Sequence, residues 1–545
     1  MKKRLDLVAL ALFSIIFFVS SSILIWSNVG TFNSPDENAN ATFTHAFAIS
    51  STLSFYEPLN LELDNLLHPR SVISIAGSLV PVSFLGVPVL YGLVGKIVGV
   101  PLVGLLTPLL MIAAAFAWRS MMERLFASRA IAFLSALAVL FHPGIWYYSA
   151  RLFMHNVPFT ACLILAAFFA IHPRRPVYRL PSTVYVLSGA FLALALWFRT
   201  SEVFWVLPGA FLLALFFRAR LGFANILLLF FSAVLVLSPL PFLNRALYGS
   251  PFVTGYTAET QNEVEQVSSS PSPVEDDSTT ERLSDLTTLL PFSLNLSAVP
   301  KHVWSYAVML FPWMTAAAAL GLLIVLGRLE HHERPRHAYI AATFFVTAWL
   351  FLFYGSWSFT DNPDPTLVTI GTSYVRYWLP VFVLWSPFVA QFLVWFSYRM
   401  RTSFSRHASI AVFALLLVGL SVQPVFSADD GLLRIRDGLS ISAAKREQIL
   451  ELTESQAIIV VDRADKFLWP HRRVVQPLRS ETTYAALPSL AAQAPLYYFG
   501  IPLPEWDLAY LNEEKLAALG LQISLVQEIQ DEALYRITVV ESLSR

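Results

Sequence analysis

Twelve stretches of this chain are apolar for about 15–24 residues at a time and nearly free of charge: 7–26, 85–99, 100–118, 130–149, 157–172, 182–198, 203–217, 222–241, 304–327, 338–354, 375–398 and 408–427. A helix needs about 20 such residues to cross the hydrocarbon core of a bilayer. Few other folds can absorb so many. Only 14% of the 545 residues are charged, against roughly 25% in an average soluble protein. The charge is also uneven. Residues 1–427 hold 45 charged side chains, while the last 118 residues hold 29 and have an ordinary soluble composition. These numbers divide the chain into a membrane part, 1–427, and a small domain, 428–545. The single cysteine, Cys162, rules out an intrachain disulfide and argues against a thiolate metal site. Zero net charge argues against a nucleic-acid partner.

Orientation follows from the basic residues, which collect on the cytoplasmic side of membrane proteins. Lys2, Lys3 and Arg4 precede the first apolar run, which is long for a signal peptide and has no A-x-A site after it. It reads as a retained anchor. Segment 85–99 then decides the topology. Counted as a span, it sends every later arginine cluster outside. Placed in the interface, as Gly86, Pro88, Gly92, Gly95, Lys96 and Gly99 suggest, it leaves 17 Lys/Arg inside and 8 in the external loops and the segment itself. The expectation is an α-helical multi-pass membrane protein with 11 spans, an internal N-terminus and an external C-terminal domain. Three outer loops result: 27–84, 242–303 and 355–374. The second carries a Ser/Pro/acidic run over 257–300 that reads as mobile. In the last domain, ESQAIIVVDR, LQISLVQEI and ALYRITVV read as strands, and NEEKLAALG as a short helix with a glycine stop, an α/β pattern. No P-loop, GxGxxG, HExxH, GxSxG or internal repeat is present.

Polar residues gather at the outer ends of the helices. A transporter is expected to carry ionisable groups near the midplane, so this placement favours chemistry at the outer membrane surface. The first outer loop begins FNSPDENANATF, with Asp36 and Glu37 adjacent. An acid there can serve as general base toward a hydroxyl. The plainer reading is a helix start, with Pro35 in the first turn and two acids on the helix dipole. Arg70, Arg151, Arg199 and Arg376 are external arginines near the bilayer, against the positive-inside trend. They suit either helix-end carbonyls and headgroups or an anionic phosphate. Arg376 lies beside Tyr374, Tyr377 and Trp378 at the start of a span, so its side chain can stay at headgroup depth. Asp361 and Asp364 in DNPDP fit a turn or a cation ligand.

In their order, these features resemble the GT-C glycosyltransferases, particularly the protein O-mannosyltransferases and bacterial aminoarabinose transferases of the family-39-like group. The Asp36-Glu37 pair follows the first helix, His68-Pro69 and segment 85–99 follow that, and Ala150-Arg151 with Asn156 stands for a later Ser-Arg-x4-Asp element. NRALYGSPFVTGY (244–256) and SYVRYWLP (373–380) also resemble strings in bacterial and archaeal members. The resemblance implies a polyprenyl-phosphate-sugar donor, membrane lipids around the helices, and a protein, glycan or lipid acceptor. It implies Asp36 as base, assisted by Glu37 and His68, with Arg70, Arg376 and Arg151 as phosphate ligands and Asn156 and Tyr377 lining the substrate. Relatives often carry a second outer carboxylate where this chain has Asn156, a poor cation ligand. No cofactor is then required, and a divalent ion would need Glu37, Glu57, Asp361 or Asp364. Two other classes fit the same features less well: a lipid-linked glycan flippase, and a non-catalytic membrane scaffold.

The topology has a direct test. Single cysteines at Ser128 and Ser455, in a Cys162→Ala background, should respond oppositely to an impermeant maleimide on intact cells, with only position 455 labelled. Labelling at position 128 contradicts the interfacial placement of 85–99.

Overall fold

A computed structural model describes residues 5–26, 30–171, 183–216, 221–260, 295–330, 333–359, 361, 364 and 367–540. Most of the loop 257–300 and the arginine clusters at 174–179 and 218–220 lie outside the described residues. The chain divides into two compact units, one of Met1–Trp26, Pro101–Phe242 and Ser268–Arg434, the other of Ser27–Val100, Leu243–Val267 and Ile435–Arg545.

The first unit is helical. By length and composition, the described residues of the whole chain contain five helices apolar enough to cross a membrane, or up to eight if each of three bent pairs is one span. These helices expose what a soluble protein hides. On Phe223–Leu237 only Leu229, Ser232 and Ala233 are buried, while Phe223, Leu227, Phe231, Val234 and Leu235 are exposed. Continuous apolar exposure on this scale fits a lipid surround. The protein is a multi-pass membrane protein. Two of the three bends fall where a proline opens the following helix. Arg129–Leu140 and Pro143–Ala150 meet at 48°, with Pro143 in the first turn, and Val299–Met309 and Pro312–Leu326 meet at 99°. Thr183–Phe198 and Thr200–Phe216 meet at 119° around Arg199.

Glycines set how closely the helices approach. A Cβ on Gly321 would collide with the Phe388 backbone, and one on Gly189 with the carbonyl of Leu229 and the hydroxyl of Ser232. Close backbone approach at small residues is a main source of packing between membrane helices, where burying apolar surface gains nothing over lipid.

The second unit carries both sheets. Strands β1 (Phe55–Tyr56), β2 (Val72–Ile75) and β3 (Ser78–Pro81) form an antiparallel sheet in the order β1-β3-β2. Strands β4 (Ile458–Val461), β5 (Arg473–Val475), β6 (Leu496–Gly500), β7 (Leu521–Ile529) and β8 (Glu532–Val539) form a second sheet in the order β5-β4-β6-β8-β7. Its first three strands are parallel, and β8 and β7 add antiparallel. The three strands expected from the sequence are β4, β7 and β8. Gly520, in the left-handed region at φ 68°, ends the short helical stretch before β7 as the sequence suggests. The core over the large sheet combines Ile458, Val460, Leu487 and Leu490 with Leu63 and Leu67 of the first loop. That loop and the C-terminal segment therefore share one hydrophobic core.

Segment 85–99 forms a helix over Val87–Val98, too short to cross a bilayer. Its inner face packs on helix Pro35–Ser50, where a Cβ on Gly92 would press on Phe47. Leu93, Ile97 and Val98 are exposed.

Replacing Gly321 by alanine should force Pro312–Leu326 and Leu379–Ser397 apart and cost about 1–3 kcal/mol, as overpacking does. Gly209 has nothing within 4 Å of a built Cβ, so Gly209→Ala should be neutral. Thermal unfolding in detergent distinguishes them, and equal midpoints would contradict the close helix contact.

Candidate active site

Asp36 lies in the first turn of helix Pro35–Ser50. That helix starts with a capping box: Ser34 accepts from the Glu37 backbone N–H at 3.3 Å, and a Glu37 carboxylate oxygen accepts from the Ser34 N–H at 3.2 Å. Glu37 is buried and bound to the cap. The two acids thus separate. Glu37 builds the helix start, while Asp36 is half-buried and accepts from the Ser71 hydroxyl at 2.6 Å.

Ser71 precedes β2 with φ 62°, in the left-handed region. That conformation costs a non-glycine residue about 1–2 kcal/mol, so its neighbours must hold it. They do so through Arg70. The fully buried Asp465 accepts from the Arg70 backbone N–H at 3.0 Å, from Nε at 3.1 Å and from Nη2 at 2.5 Å. His68 is half-buried beside them, with Nδ1 3.1 Å from the Pro69 carbonyl. Burial pushes its pKa below the usual imidazole value, so it is neutral at neutral pH. Glu57 accepts from Arg473 at 2.8 Å and caps its own short helix. Asp36, Glu37, His68 and Arg70 are all in this second unit.

The helical unit holds the other candidates. Arg151 ends helix Pro143–Ala150 and is buried, with Nη1 donating to the Tyr147 hydroxyl at 2.9 Å. Arg376 donates from Nη2 to the Ser373 hydroxyl at 2.8 Å and lies 3.8 Å from Asp361. Asp361 in turn accepts from the Ser373 N–H and hydroxyl at 2.7 and 2.9 Å, so this acid of the DNPDP turn braces the start of the span. Tyr148, whose hydroxyl donates to the Thr372 carbonyl at 2.8 Å, is within electrostatic reach of Arg151, Arg376 and Asp361. His155 is similarly close to Arg199 and Arg376. Tyr377 is covered on its face by Arg199 at 4.4 Å and flanked by Arg376 at 5.2 Å. Arg199 itself is buried against Glu202 at 2.6 Å and the Tyr354 hydroxyl at 2.9 Å. Asn156, at the start of helix Asn156–Ile171, is buried, and neither its amide nitrogen nor its oxygen has a hydrogen-bond partner among the described residues. A buried amide left unsatisfied costs about 1–3 kcal/mol and marks a place where a polar ligand or water is expected.

Arg199 and Arg376 therefore meet on Tyr377, Arg151 and Arg376 both lie near Tyr148, and Asn156 is buried in the same unit. Sequence reasoning missed Ser71 and Asp465 in the second unit and Tyr148, His155 and Tyr354 in the first. The Ser71–Asp36 and Arg70–Asp465 pairs join residues far apart in the chain, and no local pattern signals them. Among the described residues, no three His, Cys, Asp or Glu side chains gather as a metal ion requires. Glu37, Glu57 and Asp361 each hold a protein partner as described above.

No protein-family model and no curated protein sequence matches the chain. Solved structures do. ArnT from Cupriavidus metallidurans bound to undecaprenyl phosphate aligns with a TM-score of 0.52 over 98% of this chain and 98% of its own, at 13% identity. The same organism's ArnT in the apo state aligns with a TM-score of 0.50 over 97% of this chain and 98% of its own, at 14% identity. The fold is that of ArnT along nearly the whole chain.

Proposed function

We propose that this protein is a membrane glycosyltransferase that moves a sugar from a polyprenyl-phosphate donor to an acceptor hydroxyl at the outer face of the membrane. The observation that carries the reading is the full-length likeness to ArnT, whose bound form holds undecaprenyl phosphate. An external C-terminal domain, residues 428–545, and a cytoplasmic N-terminus belong to the same reading.

Asp36 is the general base. Its carboxylate accepts from the Ser71 hydroxyl, which orients it, while Glu37 serves the helix cap. As the acceptor oxygen attacks the anomeric carbon, its proton passes to Asp36. The bond from that carbon to the phosphate oxygen breaks on the opposite face, and its electron pair leaves with the polyprenyl phosphate. In-line displacement inverts the anomeric centre. The leaving phosphate is already anionic and needs no acid, so preorganised positive charge is the main remaining requirement. Arg376 and Arg151 supply it, with the Asn156 amide and Tyr377 toward the sugar. Arg70 has its Nε and Nη2 on Asp465, so we assign the phosphate to the other two arginines. Glu37 shapes the helix start, and the neutral His68 supports the loop after it.

Two outcomes test the reading with a panel of short-chain polyprenyl-phosphate pentoses and hexoses. Asp36→Asn keeps the size but removes the base, and should slow transfer by the roughly 10²–10⁴-fold typical of general-base loss. Transfer at the wild-type rate would refute the mechanism. Arg376→Ala should weaken donor binding in detergent by about 1.5–3 kcal/mol, the value of a hydrogen bond to a charged group. Unchanged affinity would remove Arg376 from the phosphate. Turnover of a nucleotide sugar, with none of the lipid donors, would overturn the donor class.

A further inference from the structure

We infer that Asp465, in the C-terminal segment, is a positioning residue for Asp36, acting through Arg70 and Ser71. The inference rests on the reading of Asp36 as general base.

Asp465 has a fully buried carboxylate that bonds Arg70, in the loop that leads to Ser71. It accepts from both the backbone and the side chain of Arg70. One residue on, Ser71 is held at φ 62° with its hydroxyl 2.6 Å from Asp36. A left-handed serine has little reason to keep that conformation unless the preceding residue is fixed. The backbone bond from Arg70 to Asp465 fixes it. The same turn also holds the helix that carries Asp36 and the residues ahead of it. The Lys466 ammonium donates to the Asn33 carbonyl at 3.2 Å, just ahead of the helix cap. The Asn38 amide donates to the Trp469 carbonyl at 3.0 Å, and the Trp469 ring packs 6.0 Å from Phe43 on that helix. Three residues of one five-residue stretch, Asp465, Lys466 and Trp469, thus hold the chain before Asp36, the helix after it and, through Arg70, the serine that orients it. A domain serving only as an outer appendage would have no need of a buried charge at this point. Orientation of a base matters because small misplacement of a reacting group costs rate steeply.

A stability role alone and a positioning role differ in one readout. In the full-length protein in detergent, with the short-chain polyprenyl-phosphate sugar that it turns over, Asp465→Asn and Ser71→Ala should each lower kcat by tenfold or more, with KM for the donor within twofold. In an Asp36→Asn background, the same substitutions should leave the residual rate unchanged, because the base they orient is gone. Ser71→Ala removes one surface-near hydroxyl and keeps the test decisive if Asp465→Asn does not fold. Hydrogen exchange gives an activity-free arm: the Arg70 amide should be protected in the wild type and exchange at least tenfold faster in Asp465→Asn. Wild-type kcat in both single variants, or full losses that persist in the Asp36→Asn background, would overturn the inference. Unchanged Arg70 protection in Asp465→Asn would also overturn it. A wild-type rate in Asp36→Asn itself would instead refute the reading of Asp36.

Discussion

Taking a guanidinium or carboxylate out of water costs several kcal/mol even after the surroundings relax, and this chain does so repeatedly. Arg119, Arg151, Arg199, Glu202 and Asp465 are each less than a tenth exposed. The polar architecture follows from pairing them. Arg119 is held by Asp6 and by Glu123 at 2.9 Å, joining the first helix to Leu106–Phe126. Arg199 and Glu202 pair at a 119° bend, where broken backbone also needs partners. Asp465 and Arg70 join segments 395 residues apart. A buried pair is weak evidence for stability against an apolar alternative. It is stronger evidence for geometry, because each charge must meet its partner before the surrounding segments can settle.

Seen this way, the two units solve different problems with one device. In the helical unit, aromatic faces share the work. Tyr377 lies under Arg199, and Tyr147 accepts from Arg151. Arginine stacks on rings and stays charged when buried, which suits it to a phosphate at headgroup depth. In the other unit the charge is committed internally, to hold a strained serine against Asp36.

The apolar runs, the short helix of segment 85–99 and the three late strands were legible because each rests on local periodicity or length. The Asp36-Glu37 pair was legible as well. The helix-start reading holds, with Glu37 in the capping box and Asp36 bound by Ser71. What sequence could not supply was partnership across distance. Nothing near residue 465 marks its carboxylate as the counter-ion of Arg70. Nothing near residue 71 announces a left-handed serine, since glycine or asparagine is the usual signal. Segments 27–84 and 428–545 read as separate outer elements, yet Leu63 and Leu67 belong to the core over the C-terminal sheet. Apolar residues show that they seek a core, not which one.

The account depends on a lipid phosphate being held by arginine while a carboxylate waits at the acceptor side. The most direct measurement is a structure of the purified protein with a short-chain polyprenyl-phosphate sugar and with Asp36 replaced by asparagine to trap it. The proposed function predicts phosphate density within hydrogen-bond distance of Arg376 or Arg151. Phosphate density bound elsewhere, with both arginines in their present contacts, would contradict it.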